Sequence, residues 1–220
     1  MDVFAPMDGL ANVGPHAIDM DLVNMVATLM QTRQTILPKR LMQPGPDPAQ
    51  LRWILEAAAS APDHGQLLPW RFVTVPEAAR PALAEGFGEA LLERDPQATS
   101  EQILQAQEKA YRSPFLMLVV VDALRGDPEI DLHERIVSAG CAVQNVLLMA
   151  TALGYGSALT SGKALKSTVL CRLFGLGANE HALCFLSIGS VQSRKKARLR
   201  PVHDAFVSVL LTDPQAKPGE

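Results

Sequence analysis

The chain has 220 residues, of which 48% are hydrophobic and 20% charged, ordinary usage for a globular protein able to bury a sizeable core. Its net charge of -3 and pI of about 6.0 imply no broad basic surface and argue against nucleic acid as a partner. Cys141, Cys171 and Cys184 lie far apart in apolar contexts, with no CxxC pair and no Cys/His metal spacing, which predicts small core residues in a reducing cytosol.

Residues 1–18 are rich in Gly, Pro and small side chains and read as a loose extension. They have neither a basic n-region nor a continuous apolar h-region, so a secretory signal is not expected. No stretch reaches the ~18 consecutive apolar residues of a membrane span, and a soluble cytoplasmic protein is expected. A helix is predicted from about Asp19, with Leu22, Val23, Val26, Leu29 and Met30 at helical spacing. Arg33, at its end, is either a cation favoured at a helix C-terminus or an anion contact. Asp47-Pro48-Ala49-Gln50 is a capping signal for a second helix, with Leu51, Ile54, Leu55 and Ala58 as its buried stripe. Residues 57–61 (AAASA) have little side-chain bulk and admit either tight packing or a flat ligand.

Pro62 ends this helix, and a turn with Asp63, His64 and Gly65 leads into a strand over residues 71–75. The turn is either simple turn chemistry or the edge that displays a ligand site. Helices are predicted over residues 77–93 and 100–111, and the apolar run 115–121 (FLMLVVV) reads as a strand buried on both faces. A long helix over residues 133–153 has Ile136, Ala139, Gly140, Val143, Val146, Leu147, Ala150 and Leu153 as its inner stripe, and Gly154 supplies a left-handed cap. It is expected to serve both core and subunit interface. A short segment, 157–161 (SALTS), precedes a helix over 165–174. Residues 182–191 read as a buried strand, 193–201 as a basic loop and 206–211 as a last strand. This order predicts an α+β fold: a sheet of four or five strands among helices, as one domain over residues 19–212, with a tail at 213–220.

No G-x-G-x-x-G follows a strand, no P-loop or G-x-S-x-G elbow occurs, and no histidine pair has zincin spacing. The residues alone therefore lead to an α+β domain with a ligand edge and no further.

Four segments carry a resemblance. They are TRQT at residues 32–35, the run from Ala61-Pro62-Asp63-His64 to Pro69-Trp70-Arg71-Phe72, the run from Ser138-Ala139-Gly140-Cys141 to Gly154-Tyr155-Gly156, and Ile188-Gly189 before a basic stretch. In this order they resemble the nitroreductase family of flavin-dependent NAD(P)H oxidoreductases, in its short YdjA-like branch, over roughly residues 22–210. The resemblance implies a mixed sheet surrounded by helices, a long central helix, a homodimer, and FMN held non-covalently at the subunit interface with NAD(P)H as reductant. Arg33 matches the family's phosphate-binding arginine, with Thr35 for the usual serine. Gln34 stands where a second arginine is common, and Arg198 and Arg200 are candidates to replace its charge. His64 matches a flavin contact, Ser60 lies in the cross-subunit region, and Leu159, Thr160 and Ser161 match a loop over the flavin.

No catalytic side chain and no metal are implied. The expected cycle is ping-pong, from NAD(P)H through FMN to an electron-poor small molecule such as a nitroaromatic or quinone. Two alternatives stay open: a flavin enzyme of the same fold with different chemistry, and a non-enzymatic flavin-binding protein. Hydride transfer from NAD(P)H, and analysis of the flavin after turnover, separate the three.

Overall fold

The computed structural model of the chain describes residues 18–191, 193 and 199–210. Capping chemistry sets the helix starts. α1 (Met20–Thr32) begins where the Asp19 carboxylate accepts from the Asp21 and Leu22 amides. α2 (Pro48–Glu56) begins at a full capping box: the Gln50 amide donates to Asp47 at 2.8 Å, and the Asp47 amide donates to Gln50 at 3.0 Å. A 3-10 turn over Ala57–Ser60 follows, and Ala61, ahead of Pro62, is extended. α3 (Arg80–Arg94) and α4 (Ser100–Gln107) come next, α4 with a second capping box from Thr99 and Gln102. α5 (Leu132–Ala152) is capped by Asp131 and released at Gly154, whose φ is 86°. α6 (Thr168–Leu173) is capped by Ser167.

The strands are β1 (Leu41–Met42), β2 (Trp70–Thr74), β3 (Phe115–Asp122), β4 (Gly156–Thr160) and β5 (Glu180–Val191). They form one sheet in the order β1-β5-β3-β2, with β4 also paired to β5. All strand pairs are antiparallel, and a single parallel bridge joins Thr35 to Ser157. Successive residues of β3 face opposite sides. Leu116, Leu118 and Val120 pack with Leu83, Phe87 and Leu170 from α3 and α6. Met117 and Val119 pack with Ile54 of α2 and with Ala142, Val143 and Val146 of α5. The continuous apolar run of β3 follows from this, because both its faces are covered.

Four expectations change. Residues 206–210 contain no strand, and Phe206, Val207, Val209 and Leu210 are exposed; Leu211 lies outside the described residues. A strand needs a neighbouring ladder, and β-forming side chains alone do not supply one. Conversely, the two-residue β1 lies where a connecting loop is expected; it pairs Leu41 with Val191. The helices predicted over 77–93, 100–111 and 165–174 each include a 3-10 turn: Glu77–Ala79, Glu108–Tyr111 and Lys163–Lys166. On α5 the expected inner stripe is buried at Ala139, Val143, Val146, Leu147 and Ala150, joined by Arg135, Ser138 and Ala142, but its members Ile136 and Gly140 are exposed, as is Val137. The apolar residues of α1 are likewise exposed, Leu22, Val23, Val26 and Met30 among them.

α5 is long and apolar enough to cross a membrane by length and composition, but its inward face packs on the sheet and it buries Arg135, which is 1% exposed. The Arg135 guanidinium donates to four backbone carbonyls, those of Asp122, Arg125, Asp127 and Ile130. It thereby replaces the ladder that the loop between β3 and α5 lacks. Arg80 does similar work, donating to the carbonyls of Val75, Ala110 and Pro114. Burial lowers its pKa, and Glu77 opposes that shift.

Arg71 on β2 donates twice to Glu180 at the start of β5, at 2.6 and 3.0 Å. Hydrogen bonding from Arg71 holds the Glu180 carboxyl below its ordinary value, against the opposite pull of burial. Glu180 is 16% exposed and Arg71 40%, so solvent screens the pair in part.

Replacing Arg135 with Met leaves four carbonyls to be solvated and is expected to cost about 3–4 kcal/mol in urea unfolding. Glu180→Gln is expected to cost about 1 kcal/mol at neutral pH. Because the folded carboxyl titrates lower than the unfolded one, the pair's contribution is full above the unfolded pKa of about 4.3 and is lost as pH falls through the folded value. The difference between wild type and Glu180→Gln therefore shrinks on acidification, which unfolding curves across pH 3–7 would measure.

Candidate functional site

α1 ends at Arg33, whose amide caps the helix by donating to the Leu29 carbonyl. The chain then turns extended, and Thr35 bridges to Ser157 while the Ile36 amide donates to the Ser157 carbonyl at 2.9 Å. This bridge brings Arg33, Gln34 and Thr35 beside β4, whose far end carries Leu159 and Thr160, with Ser161 next. Arg200 reaches the same place from the C-terminal segment: its guanidinium donates to the Arg33 carbonyl at 3.0 Å. Arg198 lies outside the described residues. Arg33 is half-buried and makes no ion pair among the described residues, and neither does Arg200. The Arg200 guanidinium thus lies at the Arg33 main chain, and neither arginine pairs with a carboxylate among the described residues; a guanidinium without a carboxylate partner is suited to an anion.

Gln34 differs from its neighbours. Its side chain lines a small recess with Thr32, Ile36, Thr151, Tyr155, Gly156 and Val191, among which neither Arg33 nor Thr35 appears. Close by, the buried Ser157 hydroxyl has no hydrogen-bond partner among the described residues. Ser157 and Leu159 share one face of β4, so an unsatisfied hydroxyl lies one pleat below the exposed Leu159. An orphaned polar atom of this kind fits a site that a further group completes.

Ser60 and His64 sit elsewhere. Ser60 is exposed at the end of the 3-10 turn after α2, and His64 opens the turn before β2. His64 Nδ1 lies 2.8 Å from Glu134 Oε2, in the first turn of α5. The recess beside Gln34 meets α5 near its other end, at Thr151. At ~1.5 Å per residue, Glu134 and Thr151 are about 25 Å apart along the helix. Within one chain, the recess beside Gln34 and the His64–Glu134 contact therefore lie toward opposite ends of α5. Sequence reasoning did not find Glu134 or Ser157. Glu134 looks like any carboxylate in a first helical turn, and Ser157 stands out only by its missing partner.

Burial pushes the Cys184 thiol up to about 11, which disfavours a nucleophilic thiolate at that residue.

The description "Nitroreductase family" matches residues 32–190. A Haemophilus influenzae protein named "Putative NAD(P)H nitroreductase" is 30% identical over 175 residues, 80% of this chain and 93% of its own. "Putative NAD(P)H nitroreductase YdjA" of Escherichia coli K12 is 33% identical over 156 residues, 70% of this chain and 82% of its own. The solved NADPH:FMN oxidoreductase from Vibrio harveyi complexed with NAD+ shares the fold, with a TM-score of 0.64 at 17% identity over 85% of this chain and 78% of its own.

If the arginines form an anion site, Arg33→Ala and Arg200→Ala each weaken a phosphate-bearing ligand such as FMN by about tenfold, as loss of a charged hydrogen bond does. Gln34→Ala changes the affinity by less than about threefold, because Gln34 faces the recess. Titration of flavin fluorescence on the apoprotein reads both.

Proposed function

The chain belongs to the nitroreductase family, and from that premise we propose that it is an FMN-dependent NAD(P)H oxidoreductase acting as a homodimer. The observation that carries this reading is that the Arg200 guanidinium reaches the Arg33 main chain, with no carboxylate paired to either arginine among the described residues, beside the strand that ends in Leu159 and Thr160. A dianionic phosphate is the natural occupant of such a pair. Arg33 and Arg200 would hold the phosphate, Thr35 would donate its hydroxyl, and Leu159, Thr160 and Ser161 would cover the ring.

The separation along α5 supports the homodimer. His64 contacts α5 at Glu134 while the segment that carries Arg33 lies toward the other end of α5, and a second copy would bring the partner subunit's Ser60 and His64 to the arginines. The exposed apolar residues of α1 and those of α5 at Ile136 and Val137 are the kind of surface a second copy covers. Bound FMN supplies hydride relay in a ping-pong cycle, from NAD(P)H to an electron-poor small molecule such as a nitroaromatic or quinone. The protein's part is to bind, to orient and to exclude water. Leu159 and Thr160 make a small, uncharged roof, which suits a flat acceptor held by stacking rather than by an ion pair. A cytoplasmic location goes with this reading, since Cys141, Cys171 and Cys184 are free thiols.

The test is an absorbance spectrum of the purified protein, before and after anaerobic addition of NADH or NADPH. The expected result is a flavin spectrum that bleaches and returns on adding a quinone. A flavin spectrum that stays unbleached with either nucleotide points to the non-enzymatic flavin-binding protein, and failure to bind added FMN overturns the whole reading. Sedimentation at micromolar concentration is expected to give a dimer.

A further inference from the structure

The loop that carries His64 is built at some cost. Gly65 has φ 68°, and two non-glycine residues follow in the left-handed region, Gln66 at 52° and Leu68 at 47°. A branched residue such as leucine is rarely held there, and such positions persist only where the surroundings over-determine them. Here they do. Asp63 Oδ2 accepts from the Leu68 amide at 2.7 Å, and Arg125 Nε donates to the Leu67 carbonyl at 3.1 Å. A Cβ added at Gly126 would come within 2.6 Å of Leu67 Cδ2, so the Arg125–Gly126 loop lies directly against this turn. Arg135 in turn fixes that loop through its carbonyls. His64 thus stands on a braced, strained turn, with its imidazole tied to Glu134.

A carboxylate can only accept, so the 2.8 Å contact requires the proton on His64 Nδ1. In the neutral ring that leaves Nε2 with a free lone pair on the edge turned away from Glu134. Among the described residues Nε2 has no protein partner, and the His64 side chain is 69% exposed. We propose that Glu134 is a positioning residue of the flavin site: it fixes the Nδ1–H tautomer of His64 and so presents Nε2 as a hydrogen-bond acceptor for a hydroxyl or imide N–H of the flavin. The proposal rests on the FMN reading above. It assigns Glu134 no contact with the cofactor and no part in electron transfer. A surface ion pair would be the ordinary reading of two exposed side chains, but such a pair would not need a strained and braced turn to hold it.

The test has two independent readouts. The first needs no cofactor: nitrogen chemical shifts of His64 in the apoprotein at pH 8. The wild type is expected to show the Nδ1–H tautomer, and Glu134→Ala, which removes the acceptor, to shift the ring toward Nε2–H or a mixture. An unchanged tautomer in Glu134→Ala overturns the proposal. The second is FMN affinity in a double-mutant cycle with His64→Ala. Glu134→Ala is expected to weaken FMN by ~5-fold or more in the wild-type background, the worth of one hydrogen bond, and to have no further effect in His64→Ala. Equal losses in both backgrounds, or no loss in the wild-type background, would show that Glu134 does not act through His64. Failure of the wild-type protein to bind FMN would sink the flavin reading, and with it the flavin as the group that Nε2 receives, while the tautomer shifts would still report whether Glu134 positions His64.

Discussion

The antiparallel ladder between β3 and β5 is the constraint on which the rest of the structure depends. It runs from Phe115 opposite Ile188 to Asp122 opposite Glu180, interrupted by one register shift after Val119. Met117, Val119, Val120 and Val121 are wholly buried, so the ladder cannot be solvated on either face. Each face must be covered by helices, and side-chain alternation decides which helix meets which residue. The small residues of α5, Ala139, Ala142 and Ala150, let that helix lie close against one face. Once α5 is seated there, its ends fix where the two groups of candidate residues can be.

A core of this kind leaves a remainder. α5 is apolar nearly all round, yet one sheet can bury only part of its circumference. The leftover side, with Ile136 and Val137, is exposed, and so is most of the apolar face of α1. The same imbalance holds for residues 206–210, whose side chains suit a sheet that a single chain does not provide. Three separate apolar surfaces are thus left exposed among the described residues, the kind of surface that a binding partner covers.

This remainder also marks where the sequence is legible. Local rules suffice where the chemistry is local: the capping box of Asp47 and Gln50, the stop at Pro62, the left-handed Gly154 and the apolar run of β3 all lie where propensity and pattern put them. They fail where burial is decided by something distant. Arg135 reads as an outward charge, and only the geometry of the β3–α5 loop, with its unpaired carbonyls, turns it inward. β1 is too short to have a pattern, and Leu41 is a strand residue only because Val191 is opposite. The arginine of TRQT can be found by resemblance, which also offers Arg198 and Arg200 as candidates beside it; that the Arg200 guanidinium meets the Arg33 carbonyl is legible only in the fold.

Gln34 shows how these levels combine. As sequence, it is a lost positive charge next to Arg33, and its expected consequence is a weaker hold on phosphate. In the fold, Gln34 and Ile36 line the recess against Tyr155, which Arg33 and Thr35 do not. A residue on that side is tuned to packing near the C-terminal end of α5. An arginine there would have to send its guanidinium past Ile36, a 5% exposed core residue, or turn back out to reach the same anion as Arg33. A glutamine lines the recess without a charge to desolvate, and Arg200, arriving from the far end of the chain, sets its guanidinium on the Arg33 carbonyl. Whether a cation stands beside Arg33 is therefore decided by the fold and not by the position that follows it in sequence.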